Sequence, residues 1–266
     1  MNDAPIGIFD SGIGGLTVTH SLFECLPHES TIYFGDTARV PYGPKSPATV
    51  RRYSLEILEW LLSQRIKAVV VACNTSSAHA IETLQDHSDV PVIGVIEPGA
   101  RAAVAATQGG PIGVIGTAGT IASGAYQRAI HDLSPATHVE QVSCPLFVPL
   151  VEEGWFEHPA SELIAREYLD PLVAAGTDTL VLGCTHYPLL KPLLARVLGE
   201  QVVLIDSADE TALAVRRVLS SLDLEAGPDN PANHRFAVSD DQQRFLDVGS
   251  RFVGERLSHV EVVPLG

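Results

Sequence analysis

With 266 residues, 45% of them hydrophobic and only 18% charged, the chain has room for two domains and the apolar content to fill their cores, which excludes a disordered or fibrous protein. A formal net charge of −15 argues against a general binder of nucleic acid or of anionic membrane surfaces, since the long-range field repels both. The four cysteines, Cys25, Cys73, Cys144 and Cys184, have neither C-x-x-C nor metal-finger spacing, the start carries no basic and apolar leader, and no run reaches about 18 apolar residues, so the expectation is a soluble, cytoplasmic protein with reduced thiols and no structural zinc.

The first strand is predicted at residues 6–9. It ends in Asp10-Ser11-Gly12-Ile13-Gly14-Gly15, whose glycines allow a tight turn and a close approach to a ligand, and a helix follows over residues 16–25. The run approaches the dinucleotide fingerprint G-x-G-x-x-G, but Thr17 stands where the third glycine belongs, so nucleotide binding is disfavoured. Asp10 and Ser11 lie at a strand tip, where Asp10 can also serve as a helix cap. A second strand is expected at residues 31–34. The proline- and glycine-rich stretch 36–46, DTARVPYGPKS, is longer than an ordinary connection and is a candidate lid. Residues 48–62 form a helix with an apolar stripe through Val50, Leu55, Leu58, Leu61 and Leu62. The apolar strand 68–72 stops at Cys73, and Asn74, Thr75, Ser76 and Ser77 offer N-cap chemistry for a helix over 75–85. Cys73 therefore sits at the carboxyl end of a parallel strand, the edge at which open α/β sheets bind ligands. A strand at 92–96 and a helix over 98–107, with proline in its first turn, complete this half.

Gly109-Gly110-Pro111 marks a break, after which the pattern begins again. The strand 112–115 ends in Gly116-Thr117-Ala118-Gly119-Thr120, echoing IGIF followed by DSGIGG. The interval from Thr117 to Cys184 nearly equals that from Asp10 to Cys73, and Asp206 trails Cys184 much as Glu97 trails Cys73. This pattern reads as a degenerate internal duplication into two similar α/β units. A strand at 138–143, a solvated loop carrying Glu152 and Glu153, a helix over 161–174 and a strand at 178–182 lead to Cys184, Thr185 and His186. Helices over 188–198 and 209–219 flank a strand that begins at Val202, and 224–233 reads as a linker. The tail, a strand at 235–238, a helix over 241–252 and a strand at 260–263, is too short to fold alone and is expected to complete the first unit. The expected fold class is α/β: two pseudo-symmetric doubly wound α/β domains with parallel-rich sheets and a cleft between them. The first comprises residues 1–96 and 207–266, the second residues 97–206.

If the two units face each other, a substrate in the cleft meets Cys73 on one wall and Cys184 on the other. Three accounts of this pair stay open: small buried hydrophobes, a redox couple without the usual C-x-x-C arrangement, or two acid–base groups that invert a carbon centre. The last requires an accessible thiolate, and a helix N-terminus or a neighbouring imidazolium lowers the free value of about 8.5. Both cysteines precede a predicted helix, and His186 follows Cys184 closely. Cys25 and Cys144 are read as structural. None of Lys45, Lys67 and Lys191 is placed to hold pyridoxal phosphate as a Schiff base, so no cofactor and no metal are expected.

GIFDSGIGGLTV from Gly7, DTARVPYGPKS from Asp36, VACNTSSA from Val71, CPLFVPLVEEG from Cys144 and LGCTHYPLL from Leu182 together resemble the bacterial glutamate racemases. The motifs run in order through most of the chain, and only the tail after about Leu222 is weakly diagnostic. The resemblance implies a cofactor-independent interconversion of L- and D-glutamate that supplies peptidoglycan synthesis. It implies Cys73 and Cys184 as proton donor and acceptor, with Asp10, Glu152 and His186 assisting; Glu152 is favoured over Glu153. It also implies that Asp10, Ser11, Tyr42, Gly43, Asn74, Thr75, Thr185 and His186 contact the substrate. Thr117 and Thr120 are added from the duplicated strand tip opposite Asp10. Glutamate is the expected partner and a homodimer is compatible with the family. The alternative within the same fold is an aspartate racemase or a related dicarboxylate isomerase.

Overall fold

The computed structural model describes residues 2–257 and 259–265. The chain opens with β1 (Ile6–Asp10), α1 (Leu16–Cys25), β2 (Thr31–Gly35), α2 (Pro47–Ser63), β3 (Ala68–Val71), α3 (Asn74–Asp86), β4 (Val92–Gly94) and α4 (Ile96–Ala106). It continues through β5 (Ile112–Gly116), α5 (Ala118–Ser123), α6 (Ala125–Leu133), β6 (Val139–Ser143), α7 (Phe147–Glu152), α8 (Pro159–Ala174), β7 (Thr179–Gly183), α9 (Lys191–Leu198), β8 (Val203–Asp206) and α10 (Ser207–Ser221). It closes with β9 (His234–Val238), α11 (Gln242–Val253) and β10 (Glu261–Val262).

The strands form two sheets. One has the order β10-β9-β2-β1-β3-β4 and the other β6-β5-β7-β8, with every neighbouring pair parallel. The order β2-β1-β3-β4 of the first sheet thus recurs as β6-β5-β7-β8 in the second, the topological form of the repeat read from the sequence. The tail returns to the first sheet, where β9 lies beside β2 and β10 beside β9.

Central parallel strands are covered on both faces and so read as continuous apolar runs. β3, with the sequence AVVV, is buried throughout. Side chains alternate between faces along each strand. Ile6, Ile8 and Val70 join a cluster that continues through Ala100 and Ala103 of α4 and Ala212 and Val215 of α10 to Val114, Leu180 and Leu182 of the second sheet. Phe9, Val69 and Val71 face the other way, against Ile57, Leu58 and Leu61 of α2 and Leu84 of α3. α4 and α10 pack on each other between the two sheets.

Several local readings are corrected. The strand expected at 92–96 ends at Gly94, and Ile96 already belongs to α4. The uninterrupted apolar sequence VIGVI hides that boundary. Residues 118–133, left without a predicted element, form two short helices divided at Gly124, which adopts a left-handed φ of 65°. The stretch read as a loop around Glu152 is α7. The helix predicted over 188–198 begins as a 3-10 turn, Tyr187–Leu190, before α9. Among the described residues no helix is long and apolar enough to cross a membrane, and no group of three or more His, Cys, Asp or Glu could hold a metal ion.

Candidate active site

The carboxyl ends of β1 and β3 in the first sheet, and of β5 and β7 in the second, converge on one pocket. It is lined by Ser11, Tyr42, Gly43, Cys73, Asn74 and Thr75 from the first part of the chain and by Thr117, Glu152, Cys184, Thr185 and His186 from the second. Asp10 and Thr120 lie behind this wall, nearly fully buried, and act on the lining through hydrogen bonds. Gly12, Val40, Pro41 and Val148 also line the pocket and were not singled out from the sequence.

Cys73 is the N-cap of α3, and its Sγ accepts a hydrogen bond from the Ser76 N–H at 3.5 Å. Burial, and then the charge of Asp10, push its thiol up to about 11, against hydrogen bonds from Ser76 and Ser11. Asp10 itself is raised by burial, against the opposing effects of the His186 charge, the Gly12 and Gly15 N–H groups and the Thr185 hydroxyl. Its Oδ2 accepts from the Gly12 N–H at 2.9 Å, and its Oδ1 from Thr185 Oγ1 at 3.4 Å. Asp10 therefore reaches across from the first sheet to the strand tip that carries Cys184.

Cys184 has a different setting. His186 Nδ1 stands 3.9 Å from its Sγ, and His186 Nε2 lies 3.2 Å from Glu152 Oε1. Burial opposes a charge on His186, but the Cys184 sulfur, the Glu152 carboxylate and the Asp10 charge outweigh it and push the imidazole up to about 10. Burial likewise works against the Glu152 carboxylate, yet His186 and the Arg244 guanidinium hold it below its ordinary value. Of the two neighbouring glutamates it is Glu152 that meets His186; Glu153 is largely exposed. Because the helix after Cys184 opens as a 3-10 turn, the full α-helix terminus expected at both cysteines is present only at Cys73.

Between the cysteines lie neutral donors. Thr75 Oγ1 is 2.9 Å from Thr117 Oγ1 and 3.3 Å from Thr120 Oγ1, and the latter two are 3.0 Å apart. Asn74 Oδ1 accepts from the Tyr126 hydroxyl at 2.7 Å, while its buried Nδ2 has no partner. A buried amide donor is costly to leave unpaired. Tyr126 lies in the stretch without a predicted element, and nothing in its local sequence points to Asn74. Within the candidate lid the Tyr42 hydroxyl donates to Asp36, and the segment is anchored to the rest of the chain by, among others, Ser239, which donates to Asp36 Oδ1 at 2.8 Å, and the Gly119 N–H, which donates to the Gly43 carbonyl at 2.8 Å.

The raised His186 has a consequence for stability. The folded state keeps a proton that the unfolded state loses above about pH 6.5, so this contribution is fully present below about 6.5 and is lost as pH rises through about 10. The urea midpoint should therefore fall between neutral pH and pH 10 more steeply in the wild type than in His186→Asn. Parallel pH profiles would mean that the buried imidazole is neutral.

Comparison with known proteins follows the same direction. Residues 6–215 match the family model for Asp/Glu/Hydantoin racemase. Over 260 residues the chain is 55% identical to the glutamate racemase of Geobacter metallireducens, covering 98% of this chain and 96% of that protein. Over 263 residues it is 51% identical to a glutamate racemase of Neisseria meningitidis, covering 98% and 97%. The fold superposes on the crystal structure of a glutamate racemase isoform from Bacillus anthracis with a TM-score of 0.94 at 41% identity, over 99% of this chain and 98% of that one. It matches the Francisella tularensis glutamate racemase in complex with D-glutamate with a TM-score of 0.93 at 39% identity, again over 99% and 98%.

Proposed function

The chain belongs to the Asp/Glu/Hydantoin racemase family, and from that premise we propose that it interconverts L- and D-glutamate without a cofactor, with Cys73 and Cys184 as the two bases. The observation that carries the reading is the pair of thiols on two different sheets, each at the carboxyl end of a parallel strand and both lining one pocket. The D-glutamate formed supplies peptidoglycan synthesis.

In the direction from L to D, Cys184 Sγ takes the Cα proton and the electron pair of the broken C–H bond passes to Cα and its carboxylate. Cys73, kept protonated by burial and by Asp10, gives its proton to the opposite face. The product leaves a thiol on Cys184 and a thiolate on Cys73, the form that accepts D-glutamate. His186, held as an imidazolium by Glu152, is the electrostatic partner for charge on the Cys184 sulfur.

The difficult step is acidity at Cα, and fixed donors at the α-carboxylate stabilise the charge that develops there. The unpaired Asn74 Nδ2, the threonine hydroxyls and the first N–H groups of α3 are such donors, supplied without a dedicated arginine. The pocket is lined on one side by Val40, Pro41, Tyr42 and Gly43 of the 36–46 segment, and closure of that segment over bound glutamate excludes water from the reaction.

The test is direct. Metal-free protein without added cofactor, incubated with L-glutamate in D2O, should bring the optical rotation to zero while deuterium accumulates at Cα. Unchanged rotation, or activity abolished by a chelator or by a carbonyl-trapping reagent, would overturn the reading.

A further inference from the structure

Glu152 does not stand alone behind His186. Its second carboxylate oxygen, Oε2, lies 3.2 Å from Arg244 Nη2, and its backbone carbonyl lies 3.5 Å from Arg251 Nη1. Both arginines belong to α11. That helix is fixed to the first sheet: Phe245, next to Arg244, is fully buried, with its ring centroid 5.8 Å from that of Tyr33 on β2. α7, which carries Glu152, precedes the part of the second sheet that carries Cys184 and lines the pocket with Glu152 and Val148. A continuous polar path therefore runs from the C-terminal helix through Arg244, Glu152 and His186 to Cys184, and it crosses from one sheet to the other at the Arg244–Glu152 pair. Behind Cys73 the arrangement differs: Ser76, Ser11 and Asp10 act on its sulfur, and the nearby arginine, Arg39, pairs with Asp36, which accepts from the Tyr42 hydroxyl packed against Cys73, all within the first part of the chain.

We infer that Arg244 is a positioning residue for one half of the reaction: through Glu152 it holds His186 against Cys184. This rests on the two-base reading above. Glu152 has two oxygens with separate tasks, one for His186 and one for Arg244, so the second bond fixes the plane of the carboxylate that the imidazole requires. The sulfur of Cys73, by contrast, is held by the Ser76 N–H within the start of α3, with no bond to α7 or α11 among the described residues. Arg244 is about half exposed, and an exposed ion pair adds little to global stability, so its removal leaves a folded protein in which the local effect can be read.

The experiment compares wild type, Arg244→Gln and Arg244→Lys, first without substrate. Each is exposed to a limiting amount of iodoacetamide, and the alkylation rates of Cys184 and Cys73 are read separately by peptide mass spectrometry. Arg244→Gln should slow Cys184 by about three- to tenfold and leave Cys73 within about twofold, and Arg244→Lys should restore most of the rate. In turnover, Arg244→Gln should lower kcat by a similar factor with little change in KM. It should also raise the deuterium isotope effect seen with α-deuterated L-glutamate above that seen with the D enantiomer. In a Glu152→Gln background the arginine substitution should add little further loss. Equal changes at both cysteines would reduce Arg244 to a clasp on the cleft and overturn the inference, as would unchanged Cys184 alkylation or losses that add independently of Glu152. Failure of the wild type to racemise glutamate would overturn the function proposed above, while the alkylation arm, which needs no turnover, still decides the role of Arg244.

Discussion

Cys184→Ala should lose racemisation of glutamate by about a thousandfold or more, yet still eliminate a leaving group from the D enantiomer of a substrate analogue. Cys73→Ala should lose racemisation equally and process only the L enantiomer. A thousandfold corresponds to about 4 kcal/mol in the barrier, within the range expected when a positioned acid or base is removed. The overall reaction cannot reveal which thiol serves which enantiomer. The two enantiomers have equal free energies, so any variant must lower kcat/KM by the same factor in both directions. Elimination from an N-hydroxy or β-substituted glutamate removes that constraint, because it needs a base on one face and no proton returned on the other. With Cys184 assigned to L-glutamate and Cys73 to D-glutamate, each alanine variant keeps one half-reaction. A variant that handled both enantiomers of the analogue, or that still racemised glutamate well, would defeat the two-base assignment.

The local settings of the two thiols add to this expectation. Cys73 is buried beside Asp10 and held as a thiol, whereas Cys184 faces His186 and, through it, Glu152. The site is thus symmetric in backbone, with two cysteines on equivalent strand tips, and asymmetric in electrostatics. That asymmetry allows the thiols to hold opposite protonation states at one pH, as a two-base inversion demands: the form with a Cys184 thiolate accepts L-glutamate, and turnover leaves the form with a Cys73 thiolate, which accepts D-glutamate.

Much of this arrangement was legible in the sequence because it is written in local signals. Strand 68–72 ends in a cysteine followed by N-cap residues, and that alone puts Cys73 at the start of α3. The repeat of the pattern around Cys184 reads as a second, similar α/β unit, and the structure has a second parallel sheet in which the order β2-β1-β3-β4 recurs as β6-β5-β7-β8. What escaped is carried by short helices and long-range contacts. α7 has six residues with Pro149 inside it, too few to show a helical period, so Glu152 read as part of a loop. α5 and α6 are divided at Gly124 and likewise show no sustained stripe. Arg244 reaches Glu152 from a distant part of the chain, and Tyr126 reaches Asn74 in the same way. No spacing rule connects such partners, because only the packing of α11 and α6 decides where those side chains end. Thr17 is an intermediate case. Its place in a near-miss of the dinucleotide fingerprint was visible, but not its reason: its hydroxyl lies 3.0 Å from the Gly14 carbonyl and 3.2 Å from that of Thr185, binding the first turn to the strand tip of Cys184.

The glycine turn after β1 leads to the second large effect. The sequence suggests that these glycines let the backbone approach a ligand. At Gly14 the close approach is to the opposite wall of the site: an added Cβ would lie 2.3 Å from Thr185 Oγ1 and 2.5 Å from His186 Nδ1. Neither side chain can retreat freely, since Thr185 is bonded to Asp10 and His186 stands between Cys184 and Glu152. Gly14→Ala should therefore push His186 away from Cys184, and a displacement of about 1 Å at a reacting group costs about a hundredfold in rate. Gly113 gives the contrast. Its added Cβ would lie 2.8 Å from Leu180 Cδ1 and 3.0 Å from Thr177 Cγ2, on β5 away from the pocket. Overpacking there should cost about 1–3 kcal/mol of stability and leave turnover per folded molecule close to wild type. Both Gly→Ala changes should thus lower the urea midpoint, but they separate in activity per folded molecule: kcat/KM falls about a hundredfold for Gly14→Ala and stays near wild type for Gly113→Ala. If Gly14→Ala kept activity within about threefold of wild type, the contact between the first turn and the Cys184 wall would not be part of the catalytic geometry, because a displacement large enough to relieve the clash could not leave the rate so nearly intact.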